Sequence, residues 1–407
     1  MTPSARFIQA HILTAYPPNC LNRDDLGRPK SAVFGSAVRT RISSQSIKRA
    51  WRTSSLVDEL LAEDKGVRTI VLWAELDKKY TGMGFADVKK FIAPIRAAFE
   101  SATSTGLPAK DEKDAAAPAP VEADGAPGST PDAAPPEPNA TKKKGRAKKD
   151  AAGTDPAVEK KDTIFFFNAF EIDFIEATLL ASLKSGVVAN AADVRVAIPR
   201  APANGDVALF GRMVADHNAL RMTGAMSVAH VITVTPGQEE DDYLAATDDL
   251  KKEGDPAGAA HLATNYFSSG LYYGYVSINT RVLLKNLRAD EHPEQVEYAK
   301  KLVKTFLMAM ATVAPGGRQN TMSAKSYAAY MLAEIGNAQP RQLTLAYLDP
   351  VTDAPVLKNA IALLENDRDS MMRAFPSQKT KAAIINRDTG AGTFDDIEAL
   401  VDAAFAS

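Results

Sequence analysis

The sequence predicts an α+β fold, and three patterns carry that prediction. Period-two alternation marks strands far apart in the chain, at Phe7 to Leu13 and Ala225 to Val234, and Phe267 to Asn279, with Tyr272, Tyr273 and Tyr275, reads as a further strand. Helical spacing governs the region after Ser43, Ile172 to Leu183, and stretches near 293–313 and 355–374. No internal repeat is evident, so the elements must meet by long-range pairing.

The first strand sets Ile8, Ala10 and Ile12 opposite Phe7, His11 and Leu13. From Pro17-Pro18 to about Arg41 the chain reads as irregular, with Gly27, Pro29 and Gly35 among Arg23, Arg28, Lys30, Arg39 and Arg41. An amphipathic helix follows. Ser43 or Ser44 supplies its N-cap, and Ile47, Trp51, Val57, Leu60 and Leu61 recur at helical spacing. Val67 to Phe99 is expected to be mainly helical, broken near Gly82-Met83-Gly84. Between Phe99 and Ile164 there is no Phe, Trp, Tyr, Ile or Met. Such a stretch cannot bury enough apolar surface to offset a backbone entropy of roughly 1–2 kcal/mol per residue, so 101–160 reads as a disordered insertion.

Folded sequence resumes at Ile164-Phe165-Phe166-Phe167, and Asp206 to Phe210 is a short apolar run closed by Gly211-Arg212-Met213. Unbroken alternation from Ala225 puts Met226, Val228, His230 and Ile232 on one apolar face, which makes His230 a packed core residue. If that strand pairs with 267–279, the polar, acidic residues 236–264 form an excursion beyond the sheet. A strand is expected at 327–335, and the region past 340 reads as helical.

The 407 residues, 45% hydrophobic and 24% charged, are ordinary for a globular protein. A net charge of -2 does not announce a nucleic-acid binder, so any such binding must come from local segregation of charge. One cysteine, Cys20, excludes an internal disulfide and fits a reducing compartment. With no signal-like start and no bilayer-length apolar run, a soluble cytoplasmic protein without membrane contact is expected.

Segregation of charge is found between Arg39 and Arg52. Gln45, Lys48, Arg49 and Arg52 fall at i, i+3, i+4 and i+7 and form one stripe. Cations near a helix N-terminus oppose its dipole, so the stripe does not serve the helix. Together with Ser43, Ser44 and the first N–H groups it suits a phosphate; a solvated basic face is the alternative. Gly316-Gly317-Arg318-Gln319 offers close backbone approach, a cation and an amide, although a helix C-cap explains Gly316 equally well.

For catalysis and metals the sequence offers little. The five histidines lack metal-site spacing, Cys20 has no thiol-catalysis partner, and no cofactor motif appears. The acidic residues 239–242 and 248–249 read as a solvated loop. Asp24-Asp25 is the one carboxylate pair of interest for hydrolysis, with a turn or a partner for nearby arginine as the bland explanation.

Six blocks in order carry a family resemblance: Cys-Leu-Asn-Arg-Asp-Asp at 20–25, Arg-Ile-Ser-Ser-Gln-Ser-Ile-Lys-Arg-Ala at 41–50, Gly-Arg-Met at 211–213, Gly-Ala-Met-Ser-Val-Ala-His at 224–230, Asp-Asp-Leu at 248–250 and Phe-Ser-Ser-Gly-Leu-Tyr-Tyr at 267–273. Together they resemble CasC, the repeated backbone subunit of type I-E CRISPR Cascade. The resemblance implies a modified RRM-like (ferredoxin-like) palm, helical fingers and a protruding thumb at 236–264. It implies a non-catalytic protein without cofactor or metal, whose partners are CRISPR RNA, other copies of itself in a helical stack, other Cascade subunits, and target DNA through the guide.

By the same resemblance Arg23, Lys30, Ser43, Gln45, Lys48, Arg49 and Arg52 hold guide phosphates, joined by Arg41 and Arg318. Met213 wedges against a displaced base. At the thumb tip, where the family can show Trp-Phe-Thr, this chain has Tyr243-Leu244-Ala245, so Tyr243 is expected to stack and Leu244 to wedge. In the insertion, Lys142, Lys143, Lys144, Arg146, Lys148 and Lys149 are expected to contact target DNA without reading sequence. No RNP consensus is present, so Tyr272, Tyr273 and Tyr275 are not assigned base stacking. Type III relatives of the fold cleave RNA with a loop Asp and metal, which makes Asp24 or Asp25 the catalytic alternative; a stand-alone RNA-binding protein of the RRM class is the other.

Overall fold

The computed structural model describes residues 3–62, 65–101, 165–190, 193–194, 203–212, 221–246 and 261–406. Among these, the strands run β1 (Phe7–Asn19), β2 (Ser31–Phe34), β3 (Ala37–Ile42), β4 (Val67–Thr69), β5 (Phe165–Phe167), β6 (Met226–Val228), β7 (Val231–Thr233), β8 (Glu240–Ala246), β9 (His261–Asn279), β10 (Tyr330–Gly336) and β11 (Lys381–Asn386). The helices longer than four residues are α1 (Ser44–Arg52), α2 (Ser55–Leu61), α3 (Leu72–Gly82), α4 (Val88–Ser101), α5 (Ala169–Ser185), α6 (Gly205–Phe210), α7 (Thr280–Asn286), α8 (Gln295–Thr312), α9 (Val356–Ala374) and α10 (Phe394–Phe405).

β1 lies between β9 and β10 and is antiparallel to both. The main sheet reads β11-β10-β1-β9-β7-β3-β2, with β6 and β8 also paired to β9. Its centre, β10-β1-β9-β6/β7, has the strand order of a ferredoxin-like unit, with α1 and α2 after the first strand and α8 between the last two.

Every residue from Phe7 to Thr14 is buried, because both faces of the sheet are covered. On one face Ile8, Ala10, Ile12, Val276 and Ile278 meet α8 and α10 through Leu302, Phe306, Val401 and Phe405. On the other, Leu13, Tyr273, Tyr275 and Tyr330 lie under Tyr347 and the Ile361 and Leu364 side chains of α9. Each fully buried aliphatic or aromatic side chain contributes about 1.5–3 kcal/mol, so these two layers hold the sheet. RRM sheets stack bases on the second of these faces; here it is roofed, and the tyrosines cannot reach a base. A third core joins α3, α4 and α5 through Leu76, Tyr80, Ile92, Ile175 and Leu179.

The roof is pinned by a polar cluster. Glu334, fully buried, accepts hydrogen bonds from Arg341 (2.5 Å), Arg368 (2.8 Å) and Thr380 (2.6 Å). His11 lies 3.6 Å away and shares a hydrogen with Tyr273 Oη at 2.8 Å. Burial pushes the Glu334 carboxyl up, but the bonds from His11, Arg341 and Thr380 and the Arg341 charge outweigh it and hold it well below the carboxylate range. Burial lowers His11, against the pull of Glu334.

Several expectations are corrected. The stretch from Pro17 to Arg41 is not irregular: β1 runs on to Asn19, and β2 and β3 form a hairpin in which Val33 faces Val38. The predicted amphipathic helix is two, because Thr53 ends α1 and Ser54 caps α2 by accepting from the Val57 N–H. Val67 opens with a strand, paired to Phe167, before the helices begin. Past 340 the chain adds β11 to the sheet as well as helices. Ala225 to Val234 is interrupted rather than continuous: Val228 pairs with Val276, but Ile232 pairs with Tyr273, so one residue is extra. That bulge flips the alternation and leaves His230 exposed, not packed in the core.

Candidate nucleic-acid interface

Ser43 begins the site. It is the N-cap of α1, its Oγ accepting from the Ser46 N–H at 3.3 Å. Its own N–H donates to Asn22 Oδ1 at 2.9 Å, which fastens the 20–25 motif to the 41–52 motif. The Lys30 N–H donates to the Asn22 carbonyl at 2.9 Å, and the Arg41 N–H to the Lys30 carbonyl at 2.7 Å. Lys30, Arg41 and the start of α1 are thereby brought together by backbone bonds.

Arg318 joins from far along the chain. Gly317 packs so tightly against the loop that a Cβ would meet the Leu21 carbonyl oxygen at 2.4 Å. The close backbone approach expected of these glycines is therefore made to the protein itself. Gly316 does not cap the helix, since α8 ends at Thr312 with Val313 as its C-cap. Arg318 and Arg23 both act on buried Cys20, whose thiol burial pushes up against their pull. Arg28 is diverted: its guanidinium stacks over Tyr266, 4.6 Å from the centroid, and lies 3.6 Å from Glu239.

Along α1 the basic stripe divides. Gln45 and Arg49 are exposed. Lys48 lies 5.8 Å from the Phe210 centroid, and burial, then Arg68, lowers its pKa. Arg52 points inward: its Nε donates to the buried Asp206 carboxylate at 2.7 Å and Nη2 donates to the Gly66 carbonyl. Arg39, counted among the site's cations by sequence, is fully buried. Its guanidinium donates to the carbonyls of Val234 (2.7 Å) and Tyr347 (2.9 Å), also reaching Thr233 and Thr235. Arg39 is corrected to a structural residue.

Two residues escape local reading. Arg68, on β4, lies over Phe166 at 5.0 Å, the ring that Arg52 covers at 4.8 Å. Burial, then the charges of Arg52 and Arg49 against that of Asp206, lowers its pKa. No spacing rule links residue 68 to the stripe. His230 is the other: its Nδ1 accepts from the Ser44 N–H at 3.3 Å beside Arg41, which an unbroken alternation conceals.

Asp24 makes a turn. Its Oδ1 accepts from the backbone N–H groups of Leu26 and Arg28, both at 2.9 Å. Among the described residues no group of three or more His, Cys, Asp and Glu could hold a metal ion. No described helix is long and apolar enough to cross a membrane.

In Gly211-Arg212-Met213, Arg212 forms a buried ion pair with Glu171 at 2.7 Å. Gly211 (φ 75°) lets the chain cross Gly224, where a Cβ would meet the Gly224 nitrogen at 2.6 Å. Met213 lies outside the described residues, as do Lys142, Lys143, Lys144, Arg146, Lys148 and Lys149. β8 and β9 form a ribbon in which Tyr243 pairs with Thr264 and Leu244 with Ala263. Both are exposed, at 66% and 44%, and as neighbours on a strand they face opposite sides.

A family model described as CT1975-like protein, of the CRISPR-associated (Cas) group, matches residues 8–403. A solved chain titled "CRISPR RNA-guided surveillance complex, pre-nicking" is 25% identical, with a TM-score of 0.72, over 98% of this chain and 100% of that one. Another, titled "CRISPR RNA-guided surveillance complex", is 20% identical, with a TM-score of 0.53, over 98% of this chain and 97% of that one. No curated protein matches.

Proposed function

The chain belongs to the CT1975-like family of CRISPR-associated proteins, and from that membership we propose that it is a non-catalytic backbone subunit of a type I-E Cascade surveillance complex. Copies of it stack along a CRISPR RNA, hold its phosphates and leave its bases free to pair with target DNA. One observation carries the reading: hydrogen bonds to Asn22 and Lys30 hold the stretch with Arg23 and Lys30 against Arg41 and Ser43, α1 continues with Gln45, Lys48 and Arg49, Arg318 acts with Arg23 on Cys20, and Arg68 lies with Lys48 and Arg49. Cations and backbone donors without paired base-reading groups suit a protein that must accept any spacer. The likeness to chains of RNA-guided complexes supports the same partner class.

Met213 is the proposed wedge and residues 236–264 the proposed thumb, with Tyr243 stacking and Leu244 wedging at its tip. The lysines of the insertion are proposed to add salt-sensitive contacts to target DNA. Asp24 supports a non-catalytic reading, because its carboxylate is engaged by two backbone N–H groups of its own turn.

The test is co-purification from a host carrying the neighbouring CRISPR genes and an array, followed by native mass measurement. The expected particle holds several copies of this chain, one CRISPR RNA and unlike subunits. A lone chain free of RNA would sink the proposal. Regular cleavage of complementary RNA, lost in Asp24→Ala or Asp25→Ala, would replace it with an enzymatic one.

A further inference from the structure

His230 is exposed, yet its Nδ1 is occupied from two directions. The Ser44 N–H points at it from 3.3 Å, and Arg41 Nη1 stands 3.2 Å away. Both neighbours are donors only, so Nδ1 carries no proton and the ring is the neutral Nε2–H form. The β6–β7 bulge aims the ring outward: Ala229 still donates to the Tyr275 carbonyl, and the next residue has no place in the ladder. The charged groups acting on the ring are Arg41, from β3, and Lys30, ahead of β2. Burial, then these two cations, depresses the imidazole below its usual value.

We propose that His230 is a proton-linked ligand of the bound RNA backbone: neutral in the free protein, and protonated when a phosphate settles beside Arg41, Lys30 and the start of α1. The inference rests on the RNA-binding reading above and adds to it a residue and a dependence on pH. Solvent supplies the proton, which goes to Nδ1. That atom ceases to accept, the Ser44 N–H is released, and three donors (Ser44 N–H, His230 Nδ1–H and the Arg41 guanidinium) then converge on one anion. The phosphate's charge offsets the repulsion among His230, Arg41 and Lys30 that disfavours the protonated ring in the free protein. Because RNA phosphodiesters do not titrate near neutral pH, proton uptake on binding reports the protein alone.

The linkage predicts that affinity rises as pH falls, by at most about tenfold per pH unit. A labelled single-stranded RNA is titrated with the full-length chain at constant ionic strength, from about pH 8 to about pH 6. Wild type is expected to tighten about five- to tenfold over that range, and His230→Gln to stay flat. An NMR titration of the His230 ring in wild type, with and without RNA, gives a second reading that needs no variant; RNA should move its midpoint upward. A flat wild-type profile, an equal slope in His230→Gln or an unmoved midpoint overturns the linkage alone. Failure to bind RNA at any pH overturns the parent reading and this one with it.

Discussion

Arg39 and Arg41 stand two residues apart on β3 and serve opposite ends. Arg39 is sealed under the Thr233–Thr235 strand end and Tyr347, where burial lowers its pKa and four carbonyls hold its charge. Arg41 lies half-buried beside His230, with no carboxylate among the described residues near enough for an ion pair. Similar contrasts recur: Arg52, Arg212, Arg341 and Arg368 hold carboxylates or carbonyls inside, while Arg49 and Gln45 face solvent. What covers an arginine, not its neighbours in sequence, decides whether it builds the fold or meets a partner.

That contrast breaks most visibly at Glu334. Glu334→Ala strands Arg341 and Arg368 under the roof and should cost about 3–5 kcal/mol in urea melts, with RNA affinity of the folded fraction unchanged. Arg39→Ala leaves buried carbonyls without donors and should cost about 2–3 kcal/mol in the same measurement. If either variant melted like wild type, the division between interior and exterior cations would fail.

Exterior residues should show the reverse pattern. Tyr243→Ala should lose about 1–3 kcal/mol of RNA affinity with no change in melting, provided its ring stacks on a base. Because Leu244 faces the other side of the ribbon, its alanine variant separates the two faces. Arg49→Ala should weaken binding a few-fold, equally for unrelated spacers, and lower the salt slope by about 0.7. A spacer-dependent loss would mean that bases are read.

The interior cluster also sets a pH dependence of stability. His11 and Glu334 both have folded pKa values below their ordinary 6.5 and 4.5. Groups depressed in this way contribute fully above the unfolded values, and the contribution is lost as pH falls through the folded ones. Urea midpoints should therefore fall as pH drops below about 6.5, and Glu334→Gln should flatten the lower part of that fall.

Much of this was legible before folding. The central strands, α8, α9 and the Ser43 cap follow from periodicity and hydroxyl placement, and the two halves of the proposed phosphate site stand in separate motifs. The β2–β3 hairpin was hidden because Gly27, Pro29 and Gly35 resemble loop sequence, and a single extra residue near His230 reversed which side chains face outward. Nothing local marks Arg68 as a neighbour of Lys48; that meeting needs β4, Phe166 and α1 in place.

By itself the sequence determined which segments alternate and which turn, because those periods follow from backbone geometry and where water is excluded. Tertiary structure alone decided which face of the sheet is roofed, which cations are enclosed and where His230 points. Those outcomes depend on contacts between residues hundreds of positions apart, such as Arg39 with Tyr347, and no local spacing encodes them.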